Sequence, residues 1–303
     1  MNRSREAKTG DWIVAGICLF VILLCIMPMI NLLSQSLSSS QAVISRKVTF
    51  MPVLHNVADN TFKPGITLES YRYVFLDPAF ARSMWWTAIL TVICTFVSLA
   101  MTILCAYPLT YDWLKGRSAI NAIIIFTMYF SAGTIPNYVL MKSLNLLNNP
   151  LVLIIPNCLS VFNLIILRSF FFGIHESFRE SAEMDGANPF IVLVKIYLPL
   201  SGPVLATLAL FYAVGRWNGF SDALLYINAA PQWVPIQLKL WQLMQNMTSI
   251  DASTVDISVD AIPRASDTIK AAAIMFATVP VLAIYPSLQR YFISGVTIGA
   301  VKG

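Results

Sequence analysis

The chain has 303 residues, of which 57% are hydrophobic and only 12% are charged, and its formal net charge is +5. A soluble globular domain carries about 25% charged residues, so this composition excludes an ordinary soluble domain and favours a protein solvated mainly by a lipid bilayer. The basic residues are scattered, with no run longer than Arg46-Lys47, which argues against nucleic acid as a partner.

Six apolar segments predict an all-α integral membrane protein with six transmembrane helices, since about 20 apolar residues are enough to cross the hydrocarbon core. The first segment follows a basic stretch, 1–11, and has no small-residue cleavage site, so we expect it to be retained rather than removed as a signal peptide. Proline and glycine interrupt the third and sixth segments, which indicates that both lie inside a helix bundle. The predicted spans are at about 12–33, 85–110, 118–141, 150–173, 200–220 and 270–291.

Basic residues in the short loops predict the orientation, because lysine and arginine are enriched on the cytoplasmic side of a membrane. The N-terminus, the loop 111–117 and the C-terminal tail carry such residues, so we expect both termini and the segment 174–199 to be cytoplasmic. The long loops 34–84 and 221–269 then face outward, as parts of a single transmembrane domain, 12–303. In the second loop, apolar residues from Ile236 to Met247 recur at helical spacing. This helix either rests on the bundle and the lipid headgroups or docks an outer partner.

The sequence predicts no catalytic residue and no metal site. All five cysteines lie in apolar segments without C-x-x-C spacing, and the two histidines are far apart. There is no Gly-Lys dipeptide and hence no P-loop, so we expect any ATP hydrolysis to come from a partner. None of the fifteen acidic residues lies in a predicted span, whereas ion-coupled carriers usually need one there. Arg168 and Arg216 lie near span ends, and we expect both side chains to reach the membrane surface.

A charged segment between the fourth and fifth spans predicts a first short helix. Ser177 is followed three residues later by Glu180, a capping box that predicts a helix over 178–185. Gly186 stands where such a helix ends in a left-handed conformation, which glycine adopts at the lowest cost.

A second short helix is predicted to start with Asn188 as its N-cap and Pro189 at its first position. It runs to about Leu198, and Pro199 is expected to separate it from the fifth span. The two helices form a hairpin, residues 177–199, which is either an interfacial loop beneath the membrane or a projection that inserts into a partner and transmits its motion. We expect the apolar face of the second helix to consist of Phe190, Ile191, Val194 and Leu198.

The hairpin resembles the EAA motif of ABC importer permeases, which is written E-A-A, three residues, G, nine residues and I-x-L-P. Glu180-Ser181-Ala182, Gly186 and Ile196-Tyr197-Leu198-Pro199 match its spacing, with Ser181 in place of the usual second alanine. Three further stretches are similar to carbohydrate permeases, which include the smaller membrane subunit of the maltose importer. They are TLESYRYVF, WNGF at 217–220 and the tail GVTIGAVKG, which is similar to the subgroup for complex oligo- and polysaccharides.

The resemblance implies a type I ABC importer permease fold in which the hairpin is a coupling helix, seated in a groove of a cytoplasmic ATPase. The implied partners are a second homologous permease subunit, two ABC ATPase subunits that hold ATP and Mg²⁺, and an extracytoplasmic solute-binding protein; no cofactor is expected on this chain. The tail, Gly299 to Gly303, is expected to contact the ATPase subunits. The coupling residues carried over from the motif are Glu180, Ser181, Ala182, Asp185, Gly186, Ala187, Ile196, Leu198 and Pro199.

The function implied by the resemblance is ATP-driven import of oligo- or polysaccharides across a bacterial plasma membrane. The alternatives are an ion-coupled secondary carrier and an ABC permease for a non-sugar solute. Sugars bind through amide hydrogen bonds and stacked aromatic rings, which makes such residues in the spans candidates for the substrate pathway. The alternative for each is a bond to a neighbouring helix or, for Trp and Tyr, a place in the interfacial belt. The candidates are Asn137, Tyr138, Asn157, Asn163, Tyr212, Trp217 and Asn218.

In the maltose importer the larger partner subunit holds the sugar. Which of the two permease chains holds the substrate here therefore stays open.

Overall fold

The computed structural model describes residues 5–56, 61–253 and 267–283, and most of these residues are helical. They form two compact units. One contains the described residues of Met1–Ala81 and Leu240–Val279, and the other contains those of Arg82–Lys239 and Pro280–Gly303.

The first unit starts with one long helix, Arg5–Ser36, at the position of the first predicted span. Its part from Trp12 onward is long and apolar enough to cross a membrane, and none of its most apolar window is buried by the described chain. Trp12 is 78% exposed and Phe20 is 65% exposed. Because water solvates such side chains poorly, this helix needs lipid or another subunit around it.

The first unit also contains a two-stranded antiparallel sheet, so the prediction of an all-α protein is wrong in the loop 34–84. Its strands are Val53–Asn56 and Thr61–Pro64. The hydroxyls of Ser38 and Ser39 accept backbone hydrogen bonds from the first strand, at 3.0 and 2.9 Å. Strands of four residues are too short to produce a clear alternating pattern, which explains why the sequence did not predict them.

Aromatic packing holds two distant parts of the first unit together. Phe75, on the helix Glu69–Leu76, packs edge-on against Phe276 with ring centroids 4.6 Å apart. Phe276 belongs to a helix over 267–283, at the position of the sixth predicted span. The C-terminal part of that span, from residue 284, lies outside the described residues.

The second predicted span is a helix, Pro78–Ala106, which a 3₁₀ turn extends to Thr110. Like the first span, it is long and apolar enough to cross a membrane by itself. Helix Ile236–Ser253 is present where the outer helix is predicted.

The third and fourth predicted spans are bent; the interruption that glycine and proline predict for the third is present, whereas the sequence predicted no break in the fourth. The third consists of Arg117–Tyr129 and Thr134–Ser143, which meet at 114°, and the break contains Gly133 with φ +89°. The fourth consists of the 3₁₀ turns of Pro150–Asn157 followed by the helix Val161–Phe172, at 46°. Gly133 lies in the first break and Pro156 lies just before the second, and both residue types interrupt helical hydrogen bonding. If each bent pair counts as one span, the described residues contain up to five spans, and the number six stays a prediction.

Two buried clusters form the core of the second unit. One lies around Leu90, Leu153 and Leu238. The other contains Phe171, from the fourth span, and Tyr197, from the hairpin. The hairpin is therefore packed firmly onto the membrane helices.

Candidate functional site: the hairpin and the central cavity

The first hairpin helix begins earlier than the capping box predicts. It runs over Glu176–Met184, and its N-cap is His175, whose Nδ1 accepts a hydrogen bond from the Ser177 N–H at 3.3 Å. The prediction that Ser177 is the N-cap is therefore wrong. His175 has an extended backbone and offers its ring nitrogen as the acceptor that a serine hydroxyl more often supplies.

The turn of the hairpin has the predicted left-handed glycine, with φ +80° at Gly186. The Gly186 N–H donates to the Glu183 carbonyl at 3.0 Å, and the Ala187 N–H donates to the Ala182 carbonyl at 2.9 Å. These two bonds are those of a Schellman motif, which satisfies the last carbonyl groups of a helix. The turn is therefore a defined, hydrogen-bonded structure rather than a loose loop.

The second hairpin helix has the predicted start, because the Asn188 side chain accepts from the Ile191 N–H at 2.8 Å and Pro189 is its first residue. Its end lies two residues beyond the predicted one, and Pro199 is within the helix rather than after it. The helical stretch passes through Pro199 to Leu200 and meets the helix Gly202–Trp217 at 84°. A π-helical turn over Leu193–Tyr197 precedes Pro199; we infer that the wider π turn accommodates the proline ring, which clashes in a regular α turn.

The predicted apolar face of the second helix is correct only at Leu198, which packs against the core cluster. Phe190 is 66% exposed and Val194 is 43% exposed, whereas Val192, Leu193 and Tyr197 are buried. These three residues are buried because that side of the helix packs against aromatic residues of the spans. The sequence of the helix alone does not show which side that is.

An aromatic cluster fixes the hairpin to the ends of two spans. Tyr197 packs edge-on against Tyr107, at a centroid distance of 5.1 Å, and against Phe171, at 5.4 Å. From the first hairpin helix, the Arg179 guanidinium lies 4.8 Å from the ring centre of Tyr111. Arg179 also pairs with Glu176 on its own helix. Both hairpin helices thus contact the segment that ends the second span.

The motif residues divide into an exposed set and an attached set. Ala182 and Ala187 are partly buried against the core cluster, as are Ile196 and Leu198. Near the turn, Met184 is 88% exposed. A surface with acidic, small and apolar groups therefore lies open at the end of the hairpin. The exposed motif residues are Glu180, Ser181, Asp185, Gly186 and Pro199.

Four of the seven candidate pathway residues line one cavity of about 810 Å³ in the second unit. Asn163 is buried, and Asn157 and Asn218 are exposed. The Tyr212 hydroxyl bonds the Thr102 hydroxyl at 2.7 Å and accepts from the Ser160 N–H at 3.1 Å. The four are Asn157, Asn163, Tyr212 and Asn218, and the rings of Phe162, Phe211 and Phe220 line the same space.

The other three candidates lie elsewhere. Tyr138 stacks on Tyr226 at a centroid distance of 6.2 Å, and Asn137 is exposed outside the cavity lining. Trp217 is buried and lines a separate apolar pocket of about 60 Å³. Helical periodicity explains the separation, because Trp217 points away from the face of its helix that carries Tyr212 and Arg216.

A buried ion pair in the cavity wall was not predicted. Arg216 and Asp222 are joined by Nη1–Oδ2 and Nη2–Oδ1 contacts of 2.5 and 3.2 Å, and their side chains are only 6% and 18% exposed. The expectation that Arg216 reaches the membrane surface is therefore wrong. Asp222 lies beyond the predicted end of the fifth span, and the only available signal was an acid six residues after the arginine.

The surroundings of the ion pair explain a glycine in the WNGF stretch. The Arg216 guanidinium also donates to the carbonyls of Leu153 and Gly219, at 3.1 and 3.4 Å. A Cβ atom on Gly219 would lie 2.4 Å from Arg216 Nη2, so any side chain there would force the guanidinium to move. Asn157 Nδ2 reaches Asp222 Oδ2 at 3.3 Å.

Among the described residues, no group of His, Cys, Asp and Glu is arranged to hold a metal ion.

The sequence comparison defines the class of protein. Residues 74–298 match the family described as "Binding-protein-dependent transport system inner membrane component". The match covers most of the chain, so the chain belongs to this family, and the predicted identity as an ABC transporter permease is confirmed.

Individual relatives are similar over nearly the whole length. The chain is 38% identical to the polygalacturonan/rhamnogalacturonan transport system permease protein YtcP of Bacillus subtilis, with 97% of this chain and 98% of the relative covered. It is 42% identical to the protein LplC of Bacillus subtilis, with coverage of 84% and 90%.

The fold is similar to that of a solved ABC transporter. A chain in the crystal structure of a bacterial ABC transporter involved in the import of the acidic polysaccharide alginate matches with a TM-score of 0.83 and 31% identity, covering 96% of this chain and 99% of the other. This chain is thus a multi-pass membrane permease subunit rather than an enzyme.

Proposed function

We propose that this chain forms half of the translocation pathway of an ATP-driven, binding-protein-dependent importer of oligo- or polysaccharides. The sugar class is supported by the relatives, whose names give polygalacturonan, rhamnogalacturonan and alginate as the substrates. The observation that carries the ATP coupling is the hairpin, which exposes the motif residues of its turn and is packed by Tyr197 onto the ends of two spans.

The proposed coupling is mechanical. An ATPase subunit binds the exposed turn around Glu180, Asp185 and Gly186, and its motion displaces the hairpin as a rigid body. Because Tyr197 and Arg179 contact the ends of the spans, the displacement passes to the bundle instead of being absorbed in a loop. ATP and Mg²⁺ are held by the two ATPase subunits. In this proposal both termini and the hairpin are cytoplasmic.

The proposed substrate contact is the 810 Å³ cavity. Its amides suit sugar hydroxyls and its aromatic rings suit the faces of pyranose rings. Arg216 and Asp222 neutralise each other, so the described residues give the cavity wall no net charge. A second, homologous permease subunit closes the pathway, and an extracytoplasmic binding protein delivers the sugar.

Reconstituted transport tests the proposal. The complex with its ATPase subunits and binding protein is placed in vesicles, and uptake is measured for oligogalacturonates, alginate oligosaccharides and neutral oligosaccharides. We expect ATP-dependent uptake of at least one class, and its loss in Glu180→Lys. The matched control is Glu69→Lys, a charge reversal on an exposed residue far from the hairpin in sequence, which should leave uptake unchanged.

Four results would contradict parts of this proposal. Normal uptake in Glu180→Lys removes the coupling role of the turn. Uptake that needs no nucleotide but follows a proton gradient favours the ion-coupled carrier. ATP-dependent transport of a non-sugar solute alone favours the second alternative. Labelling of a cysteine placed at Met184 from outside the cell would contradict the orientation.

A further inference from the structure

Two arginines converge on one phenylalanine ring at the end of the fourth span. The Cζ atom of Arg168 lies 5.0 Å from the ring centre of Phe172, and that of Arg117 lies 5.7 Å from it. Arg117 begins the helix Arg117–Tyr129, and Arg168 lies in the last turn but one of Val161–Phe172. The third and fourth spans therefore bring two positive charges to the same place.

Arg117 and Arg168 differ in their ion-pair partners. Arg117 pairs with Asp112 at 2.6 Å, and the Asp112 side chain is 80% exposed. Arg168 has no carboxylate within ion-pair distance in the described part of the chain, and its buried Nε has no hydrogen-bond partner. A buried charged N–H without an acceptor is costly, more so beside a second cation. Among the described residues, Arg168 therefore lacks an anionic partner.

The guanidinium groups and the apolar side chains around them indicate which kind of anion would bind. A guanidinium forms its strongest bonds with planar or multi-oxygen anions such as carboxylate and phosphate. Phe172 is 47% exposed and Ile120 is 40% exposed, so exposed apolar surface lies beside the charges on the same two helices. Charge next to exposed apolar surface at a span end is the environment of a lipid headgroup above its acyl chains.

We propose that Arg168 and Arg117 bind the phosphate of an anionic phospholipid on the membrane surface that carries the hairpin. Phe172 is three residues before His175, the N-cap of the first hairpin helix. The lipid therefore holds the end of the span from which the hairpin departs, and it stiffens the connection through which the hairpin moves the bundle.

Lipid retention by the purified complex tests the site. The complex is exchanged into phosphatidylcholine nanodiscs that contain phosphatidylglycerol as the anionic lipid, then extracted, and the bound lipid is measured by native mass spectrometry. We expect Arg168→Gln to weaken retention of phosphatidylglycerol about tenfold, as for loss of one charge-assisted contact. Arg168→Lys should retain an intermediate amount of phosphatidylglycerol, because lysine keeps the positive charge but cannot form the two parallel hydrogen bonds of a guanidinium.

Lys115→Gln is the matched control, since it removes one positive charge from an exposed side chain in the loop that precedes Arg117. Equal losses in Lys115→Gln and Arg168→Gln would mean a diffuse surface charge and overturn the proposal. Arg117→Gln is the second variant if Arg168→Gln fails to assemble, and it should also weaken retention.

Two further outcomes identify another occupant. If inorganic phosphate protects wild-type complex against thermal unfolding as well as phosphatidylglycerol does, the site takes free phosphate and not lipid. If Arg168→Gln keeps its phosphatidylglycerol but loses a partner subunit, the anion is a carboxylate of that subunit. Either result overturns the lipid assignment without affecting the proposed import function.

Discussion

Arg216 holds Asp222 through two parallel contacts, Nη1–Oδ2 at 2.5 Å and Nη2–Oδ1 at 3.2 Å, inside the wall of the central cavity. The same guanidinium donates to the Leu153 carbonyl. The pair therefore joins the end of the helix Gly202–Trp217, the short helix Ser221–Tyr226 and the first part of the fourth span. It sets the shape of the cavity, and it cancels the only two formal charges that the described residues contribute to the lining.

Asp222→Ala should destabilise the permease strongly, because it leaves Arg216 buried without its counter-ion. We expect the free energy of unfolding to fall by about 3 kcal/mol. The double variant Arg216→Met/Asp222→Leu should lose less than Asp222→Ala alone. Chemical unfolding in mixed micelles measures both. With the single variants Arg216→Met and Asp222→Leu the double variant completes a double-mutant cycle, and additive effects in it would mean that the two side chains are not coupled.

Gly219→Ala should displace the Arg216 side chain, since the new Cβ would lie 2.4 Å from Nη2. We expect a loss of about 2 kcal/mol, in the range for overpacking a buried site. Gly215→Ala on the neighbouring helix is the control, because a Cβ there meets nothing within 4 Å. Unfolding midpoints of the two variants compare them directly, and equal midpoints would contradict the close approach at Gly219.

Gly186→Ala should impair coupling through backbone strain alone. The residue has φ +80°, and a Cβ at this position meets no atom within 4 Å, so the cost is the left-handed conformation, about 1 kcal/mol. Gly186→Pro should abolish ATP-driven uptake, since proline cannot adopt a positive φ. Gly116→Ala has the same strain, at φ +81° and in open space, but lies outside the hairpin. Uptake per ATP hydrolysed should fall in Gly186→Ala and not in Gly116→Ala; the same fall in both would argue against a role specific to the hairpin.

Tyr197→Ala should loosen the hairpin from the spans, because it removes the ring that contacts Tyr107 and Phe171. We expect about 3 kcal/mol of lost stability and a clear fall in substrate-stimulated ATP hydrolysis. Tyr197→Phe keeps the ring and should retain most of the stimulation. If Tyr197→Phe is as defective as Tyr197→Ala, the hydroxyl matters more than the packing.

Local sequence rules predicted the hairpin turn well and its ends poorly. Gly186 and Asn188 act within a few residues, through a backbone conformation and one hydrogen bond, so their neighbours in the sequence suffice to predict them. The N-cap is His175 rather than Ser177, and the second helix continues past Pro199 because a π turn precedes the proline. At each of these two helix ends, neighbouring residues could end the helix at similar free energy, and packing against the rest of the chain decides which one does.

The amino-acid sequence determined the class of this protein. Its long apolar segments and few charges leave a bilayer as the only suitable solvent. The motif around Gly186 can be recognised from residue spacing alone, because all its residues are close together in the sequence. Only the tertiary structure decided which polar residues meet. It gathered Asn157, Asn163, Tyr212 and Asn218 around one cavity and left Trp217 outside, and it paired Arg216 with Asp222. Such contacts depend on how bent helices pack, and the angle of each bend arises from the neighbours that the segment meets in the folded chain.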